Sequence, residues 1–298
     1  MTIKFYCPNC NALIAFDSKH IGKRARCLTC SQIFIIPSKD DEKPKKIKPE
    51  PERADPLPGF YRALFVDTWK IFINPKNATS LVFVIAVICF RFFLAREACC
   101  SNLAFLIAWG WLLSFYLNII YESAFEIDTL PEIYLGTGVT FLWNIIRPFA
   151  IFFFTMALAQ LPFIIALVLL KDKGLTPANM WDARTGFHLL LQVLFIFGLF
   201  LFPVAILTAA IGQDFIMLVR PDYLIVPIFR AFIPYLIVVV LLVLVSFLEM
   251  QTVQYSDQLP FMALASRLGL NLAVQALAII AMRSIGLFFR HYSCYFRW

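Results

Sequence analysis

Long runs of apolar residues recur along the chain after residue 77, and each run is about 20 residues long. An α-helix of that length crosses a hydrocarbon core of about 30 Å at 1.5 Å per residue. The pattern therefore predicts six transmembrane helices and an all-α polytopic membrane protein. The predicted spans are 78–95, 101–121, 149–170, 187–211, 231–249 and 263–283.

The stretch before the first span, "FYRALFVDTWKIFI" at 60–73, has a helical spacing of a different kind. Its apolar residues alternate with Arg62, Asp67 and Lys70, which is typical of a helix lying in the membrane interface. The pair Asn74-Pro75 is expected to end this helix. A second interfacial stretch, "VTFLWNIIRPF" at 139–149, is predicted to precede the third span.

The first 58 residues lack apolar runs of this length and divide into two parts. Residues 1–38 contain short β-prone pieces between cysteines, which predicts a small β module. Residues 39–58, "KDDEKPKKIKPEPERADPLP", are rich in Lys, Glu and Pro and cannot bury enough apolar surface to fold, so we expect a disordered linker. The remaining residues, 59–298, form the predicted membrane domain.

Composition agrees with this division and adds an orientation. Only 15% of the residues are charged, against about 25% in a soluble domain, and the net charge is +7. Fourteen of the 26 Lys and Arg residues precede residue 77. An even number of spans places both termini on one side, and the excess of positive charge predicts that this side is the cytoplasm.

The cysteines of the β module have the spacing C-x2-C-x16-C-x2-C. This spacing predicts a zinc site made by Cys7, Cys10, Cys27 and Cys30. Each pair forms a tight turn that presents two thiolates, and four thiolates close a tetrahedron around one structural Zn²⁺. Disulfides are the competing interpretation, but they need an oxidising compartment. A module of fewer than 40 residues has too small a core to fold without the metal.

Two resemblances to known families rest on these and other motifs. The pattern C-P-x-C … G-K-x3-C-x2-C-x3-F, carried by 7–10, 22–30 and Phe34, resembles the short prokaryotic zinc-ribbon finger. This resemblance implies zinc binding by four cysteines. The motifs "TLPE", "VRPDYLIVPIFRAFIPYL" and "MRSIGLFFRHY" are similar to uncharacterised bacterial multi-pass proteins of a loosely Yip-like kind. That similarity implies a membrane protein without an assigned activity, in the bacterial inner (cytoplasmic) membrane.

Polar residues inside the predicted spans are candidates for function. Arg267, Asn271 and Gln275 are four residues apart and form one stripe on the sixth span. Glu249 ends the fifth span on the same side of the membrane, which predicts an ion pair between Glu249 and Arg267. The cluster is either a path for a substrate or ion or a clamp between helices, and its single acidic group favours the clamp.

The chain lacks the motifs of common enzymes: no phosphate loop or metalloprotease helix is present, and its three His are scattered. We therefore expect a non-enzymatic, membrane-anchored adaptor or scaffold whose zinc-binding head engages a cytoplasmic protein partner. The alternative is a small transporter or lipid-handling protein that uses the polar cluster.

The sequence identifies no small-molecule substrate. The basic residues of the head favour an anionic lipid surface over nucleic acid. Four other cysteines have no metal-ligand spacing: Cys89, Cys99, Cys100 and Cys294.

Overall fold

The computed structural model describes residues 2–7, 10, 12–27, 33–37, 55–93, 101–132, 139–171, 186–212, 221–252 and 260–296. The chain divides into two compact units, Met1–Ala54 and Asp55–Trp298, here called the head and the body. Residues 38–54, most of the predicted linker, lie outside the described residues.

The head is built from two short antiparallel pairs of strands. Strand β1 (Thr2–Tyr6) pairs with β2 (Leu13–Asp17), and β3 (Arg24–Arg26) pairs with β4 (Ile33–Ile35). A 3-10 turn, Ser18–His20, follows β2. Gly22 then adopts a φ of +76°, which an L side chain rarely adopts, and its N–H donates to the Ile36 carbonyl at 3.1 Å.

The core of the head is small and largely aromatic. Phe5 and Phe34 are fully buried and pack edge to face with ring centroids 5.4 Å apart. Cys7 and Cys27 belong to the same buried cluster, so two of the predicted metal ligands are also part of the core. A core of this size provides little hydrophobic stabilisation.

The body confirms the predicted class, because it is helical and has six helices long and apolar enough to cross a membrane among the described residues. These candidate spans are Pro75–Phe93, Leu103–Ala124, Thr140–Ala159, Gly186–Gly212, Phe232–Gln251 and Phe261–Tyr295. The α-helices of the described part are α1 (Phe60–Phe65), α2 (Lys70–Ile73), α3 (Ala78–Phe93), α4 (Ser101–Ala124), α5 (Val139–Ala159), α6 (Leu161–Leu169), α7 (Gly186–Gly212), α8 (Pro221–Arg230), α9 (Phe232–Gln251) and α10 (Phe261–Tyr292).

The stretch 60–73 is broken into short helices and is not the single helix predicted. A 3-10 turn, Asp67–Trp69, separates α1 from α2. The buried hydroxyl of Thr68 donates to the Ala63 carbonyl at 2.9 Å, which is a side-chain alternative to regular helical hydrogen bonding. The segment ends at Asn74 as predicted, and the Asn74 side chain accepts a hydrogen bond from the Lys76 N–H at 3.1 Å.

The third predicted span, 149–170, has different boundaries in the structure. A single helix, α5, includes Pro148 and ends at Ala159. Gln160 separates it from the short helix α6. Pro162 lies in the first turn of α6, where a missing N–H costs no helical hydrogen bond. Pro203 lies inside α7, which continues through it.

Residues of α4 and α5 that line the same pocket have increasing residue numbers along both helices. Ala108 and Phe141 line one groove, while Asn118 and Ile151 line one cavity further along both helices. The two helices therefore run in the same direction, so the six long helices do not alternate strictly along the chain. The prediction that both termini share one side can no longer rest on the number of spans.

The segment that follows α4, residues 125–132, is here called the return segment, and it is anchored to the beginning of the first candidate span. Asn77 is buried, and its side-chain oxygen accepts the Leu130 N–H at 3.0 Å while its amide nitrogen donates to the Ile71 carbonyl at 2.9 Å. Ser80 donates to the Pro131 carbonyl at 2.8 Å. These bonds hold non-helical backbone against the helices, as buried irregular backbone requires.

The two ends of the body meet directly. The Leu57 N–H donates to the His291 carbonyl at 2.9 Å, and His291 Nδ1 lies 2.9 Å from the Leu57 carbonyl oxygen. The Phe60 ring packs edge to face on His291 and Tyr292. Leu57, which falls in the predicted linker, is thus held against the last long helix, and the beginning and end of the body lie at the same end of the bundle.

Candidate metal centre and intramembrane polar network

Three of the four predicted metal ligands converge in the head. The sulfur atoms of Cys7, Cys10 and Cys27 all lie within 4.8 Å of one another, and the Cys10 and Cys27 sulfurs are 3.7 Å apart. A tetrahedron of thiolates with Zn–S bonds of about 2.3 Å has sulfur–sulfur edges of about 3.8 Å. A disulfide would need a distance of about 2.05 Å. The donor set therefore fits a thiolate-bound metal ion, and the fourth predicted ligand, Cys30, lies outside the described residues.

The strands explain why these cysteines meet. Cys7 directly follows β1, and its N–H donates to the Ala12 carbonyl at 2.9 Å, which closes the turn that carries Cys10. Cys27 directly follows β3. Cys7 and Cys27 are buried and Cys10 is exposed, so a metal held by these thiolates would lie at the edge of the core. His20 is exposed and lies outside this group of possible ligands.

Glu249 in the body pairs with a residue that the sequence did not indicate. The Arg91 guanidinium lies 2.7 Å from the Glu249 carboxylate, and their side chains are 6% and 20% exposed. Arg267, the predicted partner, forms no ion pair with any residue that the structure describes. Only the backbone carbonyl of Arg267 enters the network, accepting from the Asn271 side chain at 3.0 Å. The predicted Glu249–Arg267 pair is therefore wrong.

The predicted residues Asn271 and Gln275 do join this network. Gln275 Nε2 donates to Glu249 at 2.8 Å, and the Tyr116 hydroxyl donates to Gln275 Oε1. Arg91 donates to Asn271 Oδ1 at 3.3 Å. The network thus joins α3, α4, α9 and α10, and each of its charges faces an opposite charge or a polar group.

The sequence contained a signal for this network that the prediction did not use. Arg91 lies within an apolar span, and a charge at that position needs a partner. The guanidinium also lies over the Trp109 ring, 4.7 Å from its centroid, which adds a cation–π contact. Tyr116, by contrast, gives no signal in an aromatic-rich helix.

A second set of charges lies where the return segment meets the end of α10. The Arg283 side chain is only 4% exposed, and it donates to the Asp128 carboxylate at 2.7 Å. Arg290 approaches the same carboxylate at 3.3 Å and Glu126 at 3.8 Å. Asp128, which lies between α4 and α5, therefore forms a specific ion pair with a buried guanidinium.

One titratable pair lies in the 3-10 turn and short helix of the stretch 60–73. The Lys70 ammonium donates to the Asp67 carboxylate at 2.5 Å. This hydrogen bond holds the pKa of Asp67 below its ordinary value. The pair is exposed and helps only to order the segment between α1 and α2.

Comparison with known proteins does not extend the two resemblances noted in the sequence. The structure contains the cysteine cluster and the helical body to which they refer. It does not by itself identify the metal or the family. Comparisons of the chain with protein-family models, with curated proteins and with solved structures found no match.

Proposed function

We propose that this protein is a membrane-anchored, non-enzymatic adaptor or scaffold whose head binds one structural Zn²⁺ and engages a cytoplasmic protein partner. The observation that carries the proposal is the convergence of three cysteine sulfurs inside a small separate unit. The spacing of the cysteines supplies Cys30 as the fourth ligand and supports a zinc ribbon. A shell of four thiolates leaves no open coordination position for catalysis.

The surface of the head supports protein binding. Tyr6 and Leu13 are a cross-strand pair at the end of the β1–β2 hairpin, and they are 52% and 61% exposed. Exposed apolar side chains on a rigid hairpin are suited to a protein partner. Lys4 lies two residues before Tyr6, on the same face of β1, and adds positive charge beside the pair.

We place the head in the cytoplasm of a bacterium, with the body in the inner membrane. Fourteen of the 26 basic residues precede residue 77, and basic segments beside membrane spans are retained in the cytoplasm. The contact between Leu57 and His291 supports a common side for both ends of the body. Cytoplasmic redox conditions would keep the thiols reduced and able to bind metal.

The alternative function, transport through the polar cluster, is supported less well. Glu249 is neutralised by Arg91 and accepts a hydrogen bond from Gln275, so its carboxylate is already occupied. A network of this kind favours a clamp between helices over an ion path. The resemblance of the chain to Yip-like proteins fits either function.

The test is affinity capture of the full-length protein from native membranes, with metal content measured by native mass spectrometry. Wild type should carry one zinc and retain its partner, whereas Cys27→Ser should lose both. Cys89→Ser is the matched control because it changes a cysteine of the body and should lose neither. The double variant Tyr6→Ser/Leu13→Ser should keep the zinc and lose the partner.

The outcomes separate zinc binding from partner binding. If Cys27→Ser and the hairpin double variant both recover the partner as well as the wild type does, the adaptor proposal is refuted. Accessibility labelling of the head from outside intact cells would refute its cytoplasmic placement.

A further inference from the structure

A polar cavity of about 350 Å³ lies between α4, α5 and α7. Its wall contains hydroxyl, amide and charged side chains, which is unusual among apolar helices. The polar residues that line it are Ser114, Asn118, Tyr121, Glu132, Asn144 and Arg147. A cavity of this volume falls within the range of small-molecule sites.

An apolar groove of about 290 Å³ adjoins this cavity. It lies between α3, α4 and the beginning of α5, and its lining includes Phe83, Ala86, Phe90 and Phe141. Trp111 lines both the groove and the polar cavity. The polar cavity and the apolar groove therefore meet at Trp111, and together they show the polar–apolar division found in an amphiphile.

We propose that this composite site binds one phospholipid whose zwitterionic headgroup carries a primary amine. Arg147 is placed to bind the phosphate, since a guanidinium matches phosphate oxygens in charge and geometry. Glu132 is placed to bind the ammonium group. An acyl chain occupies the groove beyond Trp111.

The acidic side of the cavity favours an amine. Glu132 lines the same cavity as Arg147, so its wall carries a carboxylate as well as a guanidinium. A headgroup that carries an ammonium as well as a phosphate therefore matches this wall better than a purely anionic one.

The direction of the site matches that of a lipid in a bilayer. Glu132 follows Leu130 and Pro131, which are bonded to Asn77 and Ser80 at the beginning of the first candidate span. The polar half thus lies toward the end of the bundle. Phe83, Ala86 and Phe90 lie further along α3, so the groove extends from there toward the middle of the span.

The experiment uses the full-length protein in detergent micelles, titrated with phospholipids whose acyl chains are brominated. Bromine quenches nearby tryptophan fluorescence, and the site signal is the part of the quenching that Trp111→Phe removes. Phosphatidylethanolamine is compared with phosphatidylcholine, whose trimethylammonium has no N–H donor, and with phosphatidylglycerol, which has no amine.

We expect phosphatidylethanolamine to quench at concentrations about tenfold lower than the other two lipids, as expected for the loss of one charge-assisted hydrogen bond. Glu132→Gln should remove this preference, and Arg147→Gln should weaken binding of all three phospholipids. Ala86→Phe should fill the groove without adding a fluorophore and abolish the site signal, without altering the headgroup pocket. Lys76→Gln, an exposed charge change at the same end of the bundle, should have no effect.

Two results would overturn the inference. The first is equal quenching by the three lipids in the wild type. The second is quenching that persists unchanged in Trp111→Phe, which removes the reporter beside the groove, or in Ala86→Phe, which fills the groove. The test does not involve the head, so it is independent of the proposed adaptor function.

Discussion

Replacing Arg91 by Met should strongly destabilise the body, because it leaves the Glu249 carboxylate without its counter-charge. The two groups are 2.7 Å apart, and both are largely buried. Removing one partner of a buried ion pair costs about 3–5 kcal/mol. Glu249 retains some exposure, so the lower limit of about 3 kcal/mol applies.

This free energy corresponds to a measurable change in thermal stability. A loss of 1 kcal/mol lowers the Tm of a unit of this size by about 2–4 °C, so Arg91→Met should lower it by about 6–12 °C. Thermal unfolding in detergent, followed by intrinsic fluorescence or by size-exclusion chromatography after heating, measures the shift. Glu249→Gln alone should cost at least as much, because the more deeply buried Arg91 is then unpaired.

The double variant Arg91→Met/Glu249→Gln gives the sharpest discrimination. It removes both charges and keeps an oxygen that accepts from Gln275, so its stability should return to within about 1 kcal/mol of wild type. Arg267→Met is the matched control and should cost less than about 1 kcal/mol. If the stability losses of the two single variants add in the double variant, the ion pair is wrongly assigned. The same conclusion follows if Arg267→Met is as unstable as Arg91→Met.

Three further predictions address the packing, the return segment and the metal. Gly286→Ala should lower the Tm, because the added Cβ would lie 2.5 Å from the Ile120 carbonyl oxygen. Gly269→Ala on the same helix should not lower the Tm, because no atom lies within 4 Å of its added Cβ. Equal Tm shifts in the two variants would contradict this packing. Asp128→Asn should cost about 1–2 kcal/mol by weakening the bond to buried Arg283, and the exposed Glu126→Gln should cost at most about 0.5 kcal/mol in the same unfolding assay; a larger loss in the second would refute this. A strong zinc chelator should make residues 1–54 of the full-length protein sensitive to proteolysis and leave the body intact, and an unchanged digestion pattern would argue against a structural metal.

Features that depend on local physics could be predicted from the sequence. The backbone in a hydrocarbon environment must satisfy its own hydrogen bonds, so apolar runs of sufficient length become helices. The predicted spans 187–211 and 231–249 agree closely with α7 and α9. The cysteine spacing likewise predicted that four sulfurs meet, because each pair of ligands lies within one short turn. Three of them, those of Cys7, Cys10 and Cys27, converge in the described residues.

Features that depend on which helices become neighbours could not be predicted in this way. Glu249 had two candidate arginines near the same end of the spans, and only the packing of α3 against α10 selects Arg91 over Arg267. The common direction of α4 and α5 also depends on packing. The predicted boundary at residue 149 is absent because α5 continues through Pro148, and a proline inside a bundle can be accommodated by its surroundings.

The two hydrogen bonds of Asn77 impose an order on the synthesis of the body. Its side-chain oxygen is satisfied by a backbone group 53 residues later in the chain. At a translation rate of 5–20 residues per second, that donor leaves the ribosome about 3–11 s after Asn77 itself. During this interval the side-chain oxygen of Asn77 lacks its donor, so the first candidate span gains its full stability only when the chain as far as Leu130 has emerged and folded back beside it.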